Sequence, residues 1–247
     1  MNMKGRNLLI TGATGSIGKA IVFKLAEKFD NIFVHYCNSG EMAKELESYI
    51  LSKKSNAYLI KADLSSNDGI KSLIEQVRSR VDEIDVLINN VGGVVIAKDF
   101  TEYNEFDFYK IFNLNFFASF RLCQEFFPEM CKKQYGRIVN ISSIGVKFGG
   151  GSQTFLYSAA KCSLEQITVN LSKLGAEKNV LVNTVRIGVI DTKFHEKITN
   201  KAMERRIQMI PMKRFGESED IANMVDYLTS DKANFITGQT FAVSGGE

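Results

Sequence analysis

The chain has 247 residues, of which 45% are hydrophobic, so it can bury one large core, and we expect a single domain over residues 1–247. Its 31 basic and 28 acidic residues are intermixed and leave a net charge of +3, which argues against a nucleic-acid or anionic-membrane partner. No segment approaches the roughly 18 apolar residues of a membrane span, and the four dispersed cysteines lack metal-ligand spacing, so we expect a cytoplasmic protein without a metal site.

The first predicted elements are a strand, a glycine-rich turn and a helix. Residues 8–10 are an apolar run, the turn spans 11–18, and an amphipathic pattern predicts a helix over 19–28. Gly12 would permit the tight turn, Gly18 would let the helix pack closely on the strand, and the free N–H groups at the helix start would face a pyrophosphate. An ordinary loop is the alternative, but the position between strand and helix favours cofactor binding.

Apolar runs alternate with helical periodicity along the rest of the chain. Strands are predicted at 31–36, 57–62, 86–88, 136–143, 180–185 and 241–243. Helices are predicted at 41–51, 68–81, 105–133 and 218–228, with a further helix from Tyr157 to about Lys178 and a loop over 144–151. We therefore expect an α/β fold, a doubly wound Rossmann-type sheet of about seven parallel strands with helices on both faces and ligands beyond the carboxyl ends of the strands.

The strongest chemical signal is the pair Tyr157 and Lys161, with Ser143 fourteen residues before the tyrosine. Four residues apart on a helix, the phenol and the ammonium can meet the same ligand. A fixed ammonium favours the phenolate, so we expect Lys161 to lower the Tyr157 pKa from its reference value of about 10 and make the phenol a usable proton donor. A tyrosine and a lysine on an ordinary amphipathic helix are the alternative.

From Asn7 to Gly246, the chain resembles the short-chain dehydrogenase/reductase family in its one-domain form, because several of its motifs match those of the family in the same order. The family's Thr-Gly-x-x-x-Gly-x-Gly loop is matched over 11–18, except that Ser16 replaces the middle glycine. Its Asn-Asn-Ala-Gly motif is matched over 89–92, and its Pro-Gly after the sixth strand appears as Ile187 and Gly188.

The resemblance implies four catalytic residues. Tyr157 would donate a proton, and Ser143 would hydrogen-bond the developing oxyanion. Lys161 would hold the nicotinamide ribose, and Asn115 would support a water relay, with Asn113 as the alternative register and a buried amide capping a helix kink as the structural alternative. Besides Tyr157 and Lys161, the implied cofactor-binding residues are Gly12, Thr14, Ser16, Ile17, Gly18, Tyr36, Asn38, Ser39, Asp63, Leu64, Asn89, Val91, Gly92, Gly188, Ile190 and Thr192.

The resemblance also bears on the choice of nucleotide. No carboxylate follows the second predicted strand until Glu41, so nothing there repels a 2′-phosphate. Family members with a similar His-Tyr-x-x-Ser pattern prefer NADPH, although the arginine that often strengthens this preference is missing. We expect NADP(H) as the preferred cofactor, with NAD(H) usable.

The substrate class is less determined by the sequence. The nearest general resemblance is to 3-oxoacyl-acyl-carrier-protein reductases, which makes 3-oxoacyl thioesters the leading class, with a sugar derivative or a small ketone as alternatives. Within a predicted lid over 191–214, basic residues could attract an anionic substrate, although a solvated helix face explains them equally well. The expected substrate-binding residues are Ser143, Gly93, Val94, Phe148, Gln153, Tyr157 and Phe194.

Two other functional classes share this type of fold. Epimerases and dehydratases of the extended relatives carry a Thr-Gly-x-x-Gly-x-x-Gly loop, which Thr11, Gly12, Gly15 and Gly18 also satisfy, but the end at Glu247 leaves no room for their substrate domain. A non-catalytic nucleotide sensor is expected to lack part of the catalytic set, and all four residues are present. The family usually forms tetramers, and the phenylalanine-rich run 106–127 suits such an interface, with a dimer or a monomer core as alternatives.

Overall fold

The computed structural model describes residues 3–191 and 200–247. The strands are β1 (Met3–Ile10), β2 (Phe29–Tyr36), β3 (Asn56–Lys61), β4 (Val86–Asn89), β5 (Gly136–Ser143), β6 (Val180–Ile187) and β7 (Thr240–Val243). The α-helices are α1 (Ser16–Leu25), α2 (Gly40–Ser52), α3 (Asn67–Arg78), α4 (Glu105–Phe112), α5 (Ala118–Lys133), α6 (Gly145–Phe148), α7 (Phe155–Gly175), α8 (Asn200–Met209) and α9 (Ser218–Thr229).

The strands form one parallel sheet in the order β3-β2-β1-β4-β5-β6-β7. The predicted α/β fold with about seven parallel strands is therefore confirmed. The strand order reverses direction between β1 and β4, and connections that leave in opposite directions open a crevice at this point. The turn after β1, the segment after β4 and the segment after β5 all lie at the carboxyl edge of the sheet.

Helices cover both faces of the sheet, and this explains why the central strands are apolar without alternation. Leu8, Leu9 and Ile10 of β1 are all fully buried. Ile10 packs in a core shared with α1, α2 and α9, whereas Leu9 packs in the opposite core with α3 and α5. Burial of a side chain of this size contributes about 1.5–3 kcal/mol, so the two cores hold the carboxyl edge in place.

The helical segment predicted over 105–133 is confirmed, but it is not α-helical throughout. Residues Asn113–Phe117 form a π-helical turn between α4 and α5. There the Asn115 side chain donates from Nδ2 to the Ile111 carbonyl at 3.0 Å, and thus takes an acceptor that the α-helical ladder would use. The loop predicted over 144–151 contains the short helix α6. Among the described helices, none has the length and apolar character that crossing a membrane requires.

Candidate active site

A cavity of about 900 Å³ opens at the carboxyl edge of the sheet, and Ser143 and Tyr157 both line it. Ser143 ends β5, and Tyr157 lies in the first turn of α7. The Ser143 hydroxyl lies close enough to the Tyr157 phenol to lower its pKa. Ser143 Oγ also accepts a hydrogen bond from the backbone N–H of Gly145 at 3.2 Å. Two hydroxyl groups therefore converge on one point of the cavity wall, where they can donate to one carbonyl oxygen.

The Tyr157 pKa differs from the sequence expectation. Burial raises the pKa of Tyr157, and the hydrogen bond with Ser143 lowers it by a smaller amount. Lys161 does not produce the expected decrease, because its ammonium is directed at the backbone. Its Nζ donates to the Ile141 carbonyl at 2.9 Å and to the Val91 carbonyl at 3.4 Å. Burial lowers the pKa of Lys161 itself to about 8.

Asn115 is fully buried and is joined to the segment after β4. Its Oδ1 accepts from the Gly93 N–H at 2.8 Å, and its Nδ2 donates to the Gly93 carbonyl at 3.1 Å. Asn113 lies elsewhere and donates to the Ser65 carbonyl at 3.2 Å. Of the two predicted registers, the structure thus brings Asn115 to the segment that borders the cavity.

Gly92 lies where Lys161 and Asn115 approach each other. Its φ of +153° is one that other residues rarely adopt, and a Cβ on it would lie 2.6 Å from Lys161 Nζ and 2.8 Å from Asn115 Oδ1. Only glycine fits without displacing one of these polar groups.

The turn between β1 and α1 has the shape that a pyrophosphate needs. Gly12 has a φ of +64°, and a Cβ on Gly18 would lie 2.4 Å from the Gly12 carbonyl oxygen, so the helix start and the turn are in direct backbone contact. No side chain caps the start of α1, and its first turn contains no acidic residue. The free N–H groups there, with the positive end of the helix dipole, therefore fit an anionic diphosphate group.

Two residues, His35 and Thr11, hold this turn in place through contacts that the sequence analysis did not predict. His35 Nδ1 accepts from the Gly12 N–H at 3.0 Å, and its Nε2 donates to the Ala62 carbonyl at 3.1 Å. Burial lowers the pKa of His35 to about 4, so the ring is neutral and keeps Nδ1 free to accept. Thr11 Oγ1 accepts from the N–H groups of Asn90 and Val91, each at 3.0 Å. Neither residue belongs to a periodic sequence pattern from which these contacts could be predicted.

The remaining predicted cofactor residues are distributed unevenly. Tyr36, Asn38 and Ser39 follow one another where β2 ends, and Asn38 and Ser39 are exposed. The Asp63 carboxylate accepts from the Ser65 N–H at 2.9 Å, and this contact lowers the pKa of Asp63. Ile17, Gly92, Gly188 and Ile190 line the catalytic cavity.

Two predicted cofactor contacts are turned into the core. Asn89 is fully buried, and its Nδ2 donates to Asn140 Oδ1 at 2.8 Å, so the structure does not bring this side chain to the crevice. Leu64 is 1% exposed and packs in the core under α3. Thr192, another predicted contact, lies outside the described residues.

Of the predicted substrate-binding residues, Gly93, Val94, Phe148, Ser143 and Tyr157 line the cavity. Gln153 does not, because it precedes α7 with an exposed side chain while its carbonyl accepts from the Tyr103 hydroxyl at 2.8 Å. Phe194 lies outside the described residues. The cavity is also lined by polar or charged residues not predicted to bind substrate, namely Lys147, Thr154, Ser158, Arg206 and Glu247.

Comparison with known proteins gives consistent matches over the whole chain. A family model described as enoyl-(acyl carrier protein) reductase matches residues 12–247. The 3-oxoacyl-[acyl-carrier-protein] reductase FabG of Aquifex aeolicus is 35% identical, covering 100% of this chain and 98% of that protein. FabG of Staphylococcus epidermidis is 33% identical over 98% of each.

A solved structure is similar as well. A 3-oxoacyl (acyl-carrier-protein) reductase from Agrobacterium tumefaciens C58 with NADP bound gives a TM-score of 0.90 at 25% identity, covering 100% of this chain and 95% of that one. The likeness thus extends over the whole of this chain.

Proposed function

We propose a specific reaction for this chain, which belongs to the short-chain dehydrogenase/reductase family: the NADPH-dependent reduction of a 3-oxoacyl thioester to a 3-hydroxyacyl thioester. The chain is thus an oxidoreductase acting on a carbonyl or its alcohol. The observation that carries the proposal is the pair of hydroxyl groups, Ser143 and Tyr157, in the wall of one cavity of about 900 Å³ at the carboxyl edge of the sheet.

The catalytic roles follow from what each side chain can donate. The Tyr157 phenol gives its proton to the substrate oxygen as negative charge develops there, and the Ser143 hydroxyl donates a hydrogen bond to the same oxygen. When bound, the nicotinamide supplies the hydride. Asn115 holds the backbone of Gly93 beside the reacting group. Because burial raises the Tyr157 pKa, the phenol stays protonated at neutral pH and holds the proton that the substrate oxygen takes.

Lys161 has a separate task. With a pKa of about 8 its ammonium is mostly charged at neutral pH, and it already joins β5 to the segment after β4 through the Ile141 and Val91 carbonyls. We assign it to the ribose hydroxyls of the nicotinamide, whose approach adds acceptors to this ammonium.

NADP(H) fits the residues of the turn and of the second strand. The start of α1 and Gly12 would hold the pyrophosphate, and the exposed Asn38 and Ser39 offer hydrogen bonds to a 2′-phosphate. No carboxylate stands between Tyr36 and Gly40 to repel it. The related reductase with NADP bound supports this choice. NAD(H) remains usable, because nothing at these positions is directed against a free 2′-hydroxyl.

Reduction of an enoyl thioester is the second candidate, and the description of the matching family model favours it. The two reactions differ in where the proton is needed. Two hydroxyl groups that converge on one oxygen suit a carbonyl, because that oxygen becomes the alcohol. The direct test therefore measures NADPH oxidation with acetoacetyl, crotonyl and keto-sugar substrates. We expect turnover with the acetoacetyl thioester; turnover confined to crotonyl thioester or to sugars contradicts the proposal.

The finer assignments belong to the same proposal. We place the enzyme in the cytoplasm, treat residues 1–247 as one catalytic domain and assign 191–214 to a substrate lid, of which 192–199 lie outside the described residues.

A homotetramer is supported by the exposed aromatic side chains of α4 and α5, namely Phe106, Phe108, Tyr109 and Phe120. We expect the wild type to sediment at four times the subunit mass of 27.7 kDa. A wild type that sediments as a monomer, together with a Phe108→Asp variant that keeps full activity, contradicts the tetramer.

A further inference from the structure

An ion pair between Arg206 of α8 and Glu247 lies in the wall of the cavity that holds Ser143 and Tyr157. Arg206 Nη1 lies 2.5 Å from Glu247 Oε1, and Nη2 donates to Oε2 at 2.8 Å. The Nη2 contact is a charge-assisted hydrogen bond, whereas the Nη1 contact is a close ion-pair approach without hydrogen-bond geometry. The Glu247 side chain is only 5% exposed. The pair is therefore part of the cavity wall and differs from an ordinary surface ion pair.

The backbone holds Glu247 in this position. Ser244 Oγ donates to the Glu247 carbonyl at 3.1 Å, and the Met212 N–H donates to the Gly245 carbonyl at 3.0 Å. Gly246 has a φ of +99°, and a Cβ on it would lie 3.0 Å from Pro211. Residues 244–247 are thus packed against the segment that follows α8, and the Glu247 carboxylate is fixed where Arg206 can reach it.

The charged side chains around the cavity determine whether the Arg206–Glu247 pair can bind an anionic ligand. Lys147, Arg206 and Glu247 are the charged side chains among the described residues that line it. Because the Arg206 guanidinium is already paired with Glu247, a carboxylate of a ligand would have to compete with Glu247 for it. A ligand anion placed there would also face the Glu247 carboxylate, and like charges in a partly buried site repel strongly.

We propose that Glu247 is a specificity-determining residue: by pairing with Arg206, it neutralises the charge of that guanidinium and disfavours 3-oxoacyl substrates that carry a negative charge beside it. The inference rests on the proposed function, because it takes the cavity as the substrate site. Esters and thioesters of 3-oxo acids are accepted, and the free 3-oxo acids are disfavoured. The basic character of the predicted lid therefore does not make this wall an anion site, in contrast to the sequence-based expectation.

The test compares the affinities of 3-hydroxybutyrate and its methyl ester for the NADPH-loaded protein by titration calorimetry. Neither ligand can be reduced there, so the readout is binding and is independent of turnover. We expect Glu247→Gln to free the guanidinium and to raise the ratio of acid affinity to ester affinity by at least about tenfold. The double variant Arg206→Gln/Glu247→Gln should lose this gain, because the new partner of the acid is then absent.

Glu219→Gln is the matched control, because it removes a carboxylate from an ion pair with Lys24 that lies outside the cavity. Its affinity ratio should equal that of the wild type. An unchanged ratio in Glu247→Gln, a gain that persists without Arg206, or an equal loss of both ligands contradicts the inference. If the expected ratios are found but no acetoacetyl thioester is reduced, the proposed function alone is contradicted.

Discussion

At the scale of single residues, His35 is the buried group whose charge the nucleotide-binding turn cannot tolerate. Its Nδ1 accepts the Gly12 N–H and its Nε2 donates to the Ala62 carbonyl, so only the neutral ring with the proton on Nε2 satisfies both contacts. Protonation of Nδ1 would place two donors face to face. The low pKa of about 4 follows from burial and makes the turn stable only when His35 is uncharged.

This gives a prediction for the pH dependence of stability. The pKa of His35 falls from an ordinary value of about 6.5 to about 4 on folding, so the unfolded chain binds the proton first as the pH drops. The contribution of neutral His35 to the free energy of unfolding is therefore fully present above about pH 6.5. As the pH falls to about 4, this contribution decreases by about 3 kcal/mol, at 1.36 kcal/mol per pKa unit. Denaturant unfolding of the wild type and His35→Gln should give free-energy curves that converge across this range. Parallel curves would contradict the role of His35.

Gly92 and its neighbour Gly93 provide a matched pair of substitutions. An alanine at 92 places Cβ against Lys161 Nζ and Asn115 Oδ1, whereas a Cβ at 93 meets nothing within 4 Å. We expect Gly92→Ala to lower kcat/KM by at least about tenfold, since about 1.4 kcal/mol of misplacement suffices for that loss, and Gly93→Ala to lower it far less. Steady-state kinetics with a melting curve for each variant decides the matter, and equal losses would refute the argument from geometry.

At the scale of elements, the approach of α1 to the turn before it determines nucleotide binding. A Cβ on Gly18 would push the helix away from the Gly12 carbonyl, whereas at Gly15 the nearest atom would lie at an ordinary 3.5 Å. Gly18→Ala should raise the dissociation constant for NADPH by at least about tenfold, and Gly15→Ala by no more than about twofold. Fluorescence titration of the nucleotide measures both. Tight binding by Gly18→Ala would show that the close contact is unnecessary.

The elements also show where sequence patterns suffice. The bounds predicted for β5, residues 136–143, are those of the structure, because the strand begins at a glycine, contains the apolar residues Ile138, Val139 and Ile141, and is followed by a glycine-containing segment. The segment 105–133 is helical as predicted, but the π-helical turn at Asn113–Phe117 was not predicted, since a side chain that takes a backbone carbonyl leaves the hydrophobic periodicity almost unchanged. The start of α1 was placed three residues late, because a glycine-rich turn resembles the uncapped first turn of a helix.

At the scale of the whole molecule, the site is assembled from segments far apart in the chain. Tyr157, Ser143 and Lys161 could be named from spacing and resemblance, because they lie on two adjacent elements. The contacts of Arg206 with Glu247 and of Gly12 with His35 could not, since they depend on how strands and helices pack. The partners of Lys161 were likewise missed: its ammonium bonds to the Ile141 carbonyl, which is a consequence of burial that no motif records.

The most direct test of the central claim, that Tyr157 is the proton donor of a carbonyl reductase, is the turnover number of Tyr157→Phe with an acetoacetyl thioester and NADPH. The variant keeps the ring, so we expect a folded protein that binds NADPH within about twofold of the wild type but turns over at least about 100-fold more slowly. Tyr109→Phe, on the exposed face of α4, is the control and should retain the wild-type rate. Turnover by a folded Tyr157→Phe within about tenfold of the wild type would contradict the claim.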